Sequence, residues 1–165
     1  GIDTTENQLA HGFRLFAQHP QQWELLAENP SLARAAADEV LRFEPVSPFT
    51  VRIVRDEVTY RDVVFPPGTL VLVCTWTANR EGRADERPSE FDITADRGHD
   101  RPLSFGAGPH YCLGAGLAWA EMEEAFAFLA SKMQGLRLDG DIQWGSPLGI
   151  YDIVSLPLAF SPRAN

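Results

Sequence analysis

The chain has 165 residues, 44% of them hydrophobic and 22% charged, the proportions of a soluble globular protein with room for one domain and a sizeable core. A formal net charge of -9 excludes nucleic-acid binding by bulk electrostatic attraction. No uninterrupted apolar run is long enough to cross a bilayer and nothing reads as a signal peptide, so a cytoplasmic protein with no membrane partner is expected.

In GIDTTENQLAHGFRLFAQHP, Leu9, Phe13 and Phe16 recur at helical spacing, with neither a start methionine nor a cap ahead of the polar triplet, so the segment reads as a helix cut in its middle. A second helix starts near Pro20 and covers Trp23 to Ala27. A third is expected from Ser31 to about Phe43, with Asn29 as cap and Pro30 in the first turn, where proline's missing donor costs nothing; it stops before Pro45. Strand signals take over in TVRIVRDEV, which alternates, and in VVFPPGTLVLVCTW, two apolar runs around a Pro-Pro-Gly turn. A long charged loop, NREGRADERPSEFDITADRGHDRP, follows. Leu113 to Met133 is the longest helix-like stretch, with Leu117, Phe128 and Leu129 on one side and Gly135 as its expected C-cap. LRLDGDIQW and IVSLPLAF read as closing strands, with Pro157 marking an edge.

Two cysteines, Cys74 and Cys112, stand without a CxxC pair or further thiols, which argues against a disulfide framework and a structural zinc site. Cys74 lies in an apolar strand-like run and reads as a buried, inert thiol. Cys112 lies among Phe105, Gly106, Gly108 and Gly114, at spacings that suit a tight turn where backbone needs positive φ or close approach. At the start of the long helix, free amides and the positive dipole end favour its thiolate. Taken alone it could be a structural thiol, a nucleophile with His110 as base, or a ligand.

The span FGAGPHYCLG, Phe105 to Gly114, resembles the haem-binding signature of the cytochrome P-450 superfamily of haem-thiolate proteins. Further features resemble that family in its order. GIDTT is similar to the oxygen-activation segment, EVLR to the Glu-x-x-Arg pair, VFPPGTLV and TANR to the strand and turn that follow, and LGIYDIVSLPLAF to the terminal hairpin. The resemblance implies a mainly α fold with small β-sheets (α+β), residues 1–165 forming the C-terminal haem-binding portion of the soluble bacterial type, from the middle of the oxygen-binding helix to the terminal hairpin, without the N-terminal portion.

It also implies a cofactor, haem b, and roles for particular residues. Cys112 is expected as the axial ligand of the iron, pushing electron density onto it to favour O–O cleavage, with Gly106, Gly108 and Gly114 shaping the loop and Phe105 screening the sulfur. His110 and Arg52 are expected to neutralise the propionates, although Arg52 by itself reads as a solvated strand arginine. Asp3 and Thr4 are expected as the acid and alcohol that deliver protons to dioxygen, although DTT alone is a common helix cap; Gly1 fits the small residue that leaves room for oxygen. Glu39 and Arg42 would form a buried structural pair. Where many relatives complete a triad with an arginine this chain has Glu90, leaving Arg87 or Arg97 to substitute, or the triad open.

The implied activity is insertion of one oxygen atom from dioxygen into a hydrophobic or biosynthetic small organic substrate, with electrons from a ferredoxin- or flavodoxin-like donor. A basic patch of Arg97, His99 and Arg101 would meet the donor, and residues near Phe49, Thr50 and Ile150 would meet the substrate. The alternative is a non-catalytic fragment or helper module of the same fold that binds a partner and does not hold haem alone. A cysteine hydrolase built on Cys112 and His110 is remote, because no third residue orients the histidine.

Overall fold

Four helices build the core, and their apolar spacing explains where each is buried. In the computed structural model, which describes residues 2–81, 87–97, 102–146 and 149–163, α1 spans Asp3–Gln18, α2 Pro20–Glu28, α3 Ala33–Phe43 and α5 Ala115–Ala130. Helix α1 ends where Pro20 begins α2, proline being acceptable at a first helical position because its missing N–H needs no partner there. Gly1, His99 and Arg101 lie outside the described residues.

The third helix is entered differently from expectation. Asn29 makes no cap bond to it; Pro30–Leu32 form a 3-10 turn, Asn29 Oδ1 accepts the Ser31 hydroxyl, and α3 starts at Ala33. Ala33, Ala36 and Ala37 keep one face of α3 small, so that α5 packs against it with Trp119, Met122 and Phe126. Helix α1 closes the third side. At Gly12 an added Cβ would stand 2.8 Å from Phe126 Cε1 and 3.4 Å from Val40 Cγ1, so glycine is what lets α1 approach both neighbours. Around that point Phe16, Trp23 and Phe126 meet tilted or edge-on at centroid distances of 5.1 to 5.4 Å, geometry that aromatic quadrupoles favour. The Trp23 indole spends its one donor on Met133 O at 2.9 Å.

Helix α5 corrects the sequence reading on three counts. It is shorter than Leu113 to Met133, and its buried seam is Ala115, Trp119, Met122, Phe126 and Ala130, while Leu117 and Phe128 are exposed. Gly135 is no C-cap. It lies inside the strand Met133–Leu138, with φ of +64°, where the pairing with Leu158–Pro162 shifts register between Gln134 and Arg137; a bulge of this kind needs a residue at positive φ.

Among the described residues the strands form four antiparallel pairs rather than one sheet. β1 (Phe49–Ile53) pairs with β4 (Leu70–Cys74), and β2 (Val58–Tyr60) with β3 (Val63–Phe65). β5 (Met133–Leu138) pairs with β8 (Leu158–Pro162), and β6 (Gln143–Trp144) with β7 (Ile153–Ser155). A one-turn helix α4, Thr75–Ala78, follows β4. Pro157 sits between β7 and β8 rather than on a strand, and its carbonyl takes the Asp139 amide at 3.0 Å. Among the described residues no helix is long and apolar enough to cross a membrane.

Candidate functional site

A cavity of about 450 Å³ opens between the first turns of α1, the segment joining α3 to β1, strand β1, and the cysteine loop ahead of α5. It brings together Thr4, Arg52, Phe105, Gly106, His110, Cys112 and Gly114, residues up to 110 positions apart in the chain (114 minus 4). Thr5, Gln8, Val46, Ser47 and Thr50 line it as well. Four residues expected from the sequence fall outside it. Asp3 is exposed, with only its backbone carbonyl engaged, by Asn7 Nδ2 at 3.0 Å. Phe49 and Ile150 are not part of the lining, and neither is Gly108.

The loop that carries Cys112 is built by short-range bonds. Two 3-10 turns, Leu103–Phe105 and Gly108–His110, flank Gly106 and precede Gly114. Gly106 and Gly108 take φ of +73° and +70°, a region closed to most side chains. The turn is pinned by the Cys112 amide, which donates to Phe105 O at 2.9 Å. Helix α5 begins at Ala115 with Gly114 as N-cap, so Cys112 stands just ahead of the helix and its carbonyl accepts the Ala115 amide at 3.3 Å. The side chain itself is exposed to the cavity. Phe105 packs edge-on against Trp119 at 4.8 Å, and the Arg34 guanidinium covers the far ring at 4.4 Å.

Beneath the loop lies a buried ionic core. Arg42 donates to both carboxylate oxygens of Glu39, at 2.7 and 2.8 Å, and to the carbonyls of Asn79, Pro88 and Glu90. Those five bonds use all five guanidinium donors, which is what a buried arginine requires. Glu39 Oε1 also takes the Asp92 amide and Arg97 Nη2, the latter at 2.9 Å. Arg97 therefore completes the triad. Arg87 instead pairs with Glu90 and Asp92 at the surface, and Arg97, committed to Glu39, is not the free surface cation expected for a donor patch.

Hydrogen bonds carry this core to the cysteine. Asn79, whose carbonyl Arg42 holds, bonds through its amide group to the Leu103 N–H and the Ser104 hydroxyl, and Ser104 Oγ donates to Leu41 O. Phe105 comes next in the chain. The position of Cys112 is thus set from α3 through Asn79 and residues 103–105.

The remaining candidates divide by electrostatic setting. Arg52 is exposed on β1 and donates to Val51 O at 2.9 Å, while His110 is exposed at the end of its 3-10 turn. Cys74 is half-buried rather than buried. Its partial burial alone would raise the thiol, but hydrogen bonds from the Thr77 hydroxyl and the Thr77 and Trp76 amides outweigh it and hold the thiol below its usual value. His11, wholly buried on α1, is held below its usual value by burial, which outweighs the opposing bond to Tyr151 O. Sequence reasoning passed over His11 and Gln8 because their partners lie 140 and 36 to 38 positions away.

A protein-family model described as Cytochrome P450 matches residues 1–139. The luteothin monooxygenase of Streptomyces thioluteus is 41% identical over 162 residues, covering 97% of this chain and 39% of that protein. The vitamin D(3) 25-hydroxylase of Pseudonocardia autotrophica is 34% identical over 168 residues, covering 99% and 41%. Among solved structures, that of CalO2 superposes with a TM-score of 0.89 at 33% identity, covering 98% of this chain and 41% of that one. The chain thus spans about two fifths of the length of the relatives it matches.

Proposed function

This chain belongs to the cytochrome P-450 family, and on that premise we propose that it is the cysteine-bearing portion of a haem-thiolate monooxygenase. Such an enzyme places one oxygen atom of dioxygen in an organic substrate and releases the other as water, consuming two electrons and two protons. The observation that carries the reading is the single cavity that gathers the cysteine loop, Arg52 and Thr4.

The lining fits haem b. A flat macrocycle with two carboxylates needs a soft donor, apolar walls and cations at one edge. Cys112 offers the donor, Phe105, Leu117, Ala118, Met122, Leu41 and Val46 the walls, Arg52 the cation and His110 a ring N–H donor. When bound, a thiolate-ligated haem supplies the electron density that favours O–O cleavage.

The chain's own groups do the rest. The loop pinned by Cys112 N and Phe105 O holds the sulfur at a fixed place, and Phe105, backed by Trp119, keeps water from it. Arg52 gives charge-assisted hydrogen bonds to the carboxylates, and His110 offers them a ring N–H. Thr4 lines the cavity, and its hydroxyl would hand protons to dioxygen, with the Asp3 carboxylate recharging it from the solvent side. Thr4→Ala should divert reducing equivalents to peroxide; tightly coupled turnover in that variant counts against the relay.

Relatives described as a luteothin monooxygenase and a vitamin D(3) 25-hydroxylase support a hydrophobic or biosynthetic substrate; the two electrons are proposed to come from a ferredoxin- or flavodoxin-like donor. A second reading has its own observation. Ile53, Leu70, Leu72 and Leu113 are more than half exposed, which favours a portion that binds haem only when the N-terminal part of the fold covers these side chains. Adding haemin to the chain, alone and with that N-terminal portion from a relative, and recording the reduced carbonyl spectrum tests both. The thiolate-type long-wavelength band with the chain alone supports an independent haem module. The band only with both parts supports the second reading, and no such band in either case overturns the haem assignment.

A further inference from the structure

The seam that α1 buries contains three polar side chains, Thr5, Gln8 and His11, the last two the larger. Gln8 and His11 are one turn apart, 3% and 0% exposed, and burying such groups is unfavourable unless each finds hydrogen-bond partners. His11 Nδ1 finds none among the described residues, while the bonds made by Gln8 and by His11 Nε2 close a ring. Gln8 Nε2 donates to Glu44 O at 2.8 Å and Gln8 Oε1 accepts the Val46 amide at 2.9 Å. Val46 O accepts the Tyr151 amide at 2.8 Å, and Tyr151 O accepts His11 Nε2 at 2.7 Å, which returns the ring to α1.

Both tethered segments are irregular, so their backbone groups have no ladder neighbours and must be satisfied some other way. One of them puts Val46 and Ser47 on the cavity wall; the other leads into β7, whose Ile153 amide is held by Asn7 Oδ1 at 3.0 Å. Helix α1 also carries Thr4, one turn before Gln8 and on the same face. The ring therefore fixes the wall relative to the Thr4 hydroxyl. His11 leans on the stacked Trp144–Tyr151 pair at 5.9 and 5.4 Å, which fixes its ring plane.

Resting on the haem reading of the cavity, we infer that Gln8 and His11 are positioning residues: they tie residues 44–47 and 150–153 to α1 and so set the shape of substrate that the cavity admits. Hydrophobic substitutes of equal size fill the same space and leave the Val46 amide and the Tyr151 carbonyl without partners.

The test uses the haem-loaded protein and the variants Gln8→Met, His11→Phe and His11→Gln, the last keeping a donor near the place of Nε2. Amide hydrogen exchange is read across the ring, at Tyr151 for Gln8→Met and at Val46 for His11→Phe. Azole binding is read from the Soret shift, as the ratio of 4-phenylimidazole to imidazole affinity, because only the larger azole needs the distal wall. Both apolar variants should speed exchange about tenfold and change the azole ratio about tenfold, with an unmoved carbonyl band, and His11→Gln should restore both values to near those of the parent. Unchanged exchange, or faster exchange with an unchanged azole ratio, overturns the inference. A parent protein without the thiolate carbonyl band overturns the haem reading instead, and the exchange result then decides the tether by itself.

Discussion

The two sides of the cavity are held in unlike ways. On the cysteine side an ionic core, Glu39, Arg42 and Arg97, reaches the loop through Asn79 and Ser104, and its ion pairs are buried or half-buried against α3. On the threonine side Thr4 is exposed in the first turn of α1, where Ile2 stands at the N-cap position without a side-chain cap bond. There the order comes from further along the helix, through Gln8 and His11. A ligand to a metal must be in place before the metal arrives, and charge buried beneath it serves that end; a proton-relay hydroxyl needs access to water, which the exposed turn provides.

Breaking the core should have the largest effect. Arg42→Ala leaves Glu39 buried with Arg97 as its remaining cation and the Asn79 and Pro88 carbonyls without their Arg42 donor, Glu90 O keeping Arg97, and should cost about 3 to 5 kcal/mol, read by denaturant unfolding; a loss under 1 kcal/mol would sink the claim that this core supports the loop. Gly12→Ala strikes the frame both sides share. Its new Cβ is forced against Phe126 and should cost about 1 to 3 kcal/mol, again by unfolding, with Phe126→Leu as the relieving second change. The threonine side should also be the acid-sensitive one. The unfolded chain protonates His11 near its ordinary value of 6.5, while burial keeps the folded ring neutral to lower pH, so the unfolded state binds more protons as pH falls. Stability should therefore drop as pH falls below about 6.5, with a slope of up to about 1.4 kcal/mol per pH unit from this group, levelling once the folded value is passed. His11→Gln should remove that part of the slope, and an unaltered slope would assign it elsewhere. Asn79→Ala cuts the link between core and loop and should cost about 1 kcal/mol, while speeding amide exchange at Leu103 more than at Val46. Equal acceleration at both would erase the division between the two sides. Arg34→Ala, which uncovers the Trp119 ring and frees Asp38, should cost about 0.5 kcal/mol.

What could be read in the sequence was local. The glycines around Cys112 stand within a few residues of it, and two of them do take positive φ; the α1 and α2 boundaries followed from Pro20. Helix α5 was misjudged because AGLAWAEMEEAFAFLA is apolar almost all round, so periodicity could not select the Trp119 and Phe126 seam over Leu117 and Phe128. Gly135 looked like a helix stop because positive φ serves a cap and a bulge alike. The long-range features were reached only where the family resemblance offered candidates, as it did in naming Arg87 or Arg97 for the triad. Arg97 meets Glu39 across 58 positions, and His11 meets a backbone carbonyl across 140, an acceptor that every residue type offers equally.

Resonance Raman spectroscopy of the ferric haem-loaded protein, in a Cys74→Ser background and with cysteine carrying sulfur-34, asks whether Cys112 holds the iron. An iron–sulfur stretching band that moves to lower frequency with the heavier isotope, and is absent in Cys112→Ser, is the expected result. A band indifferent to the isotope, or one that survives removal of Cys112, would contradict the account.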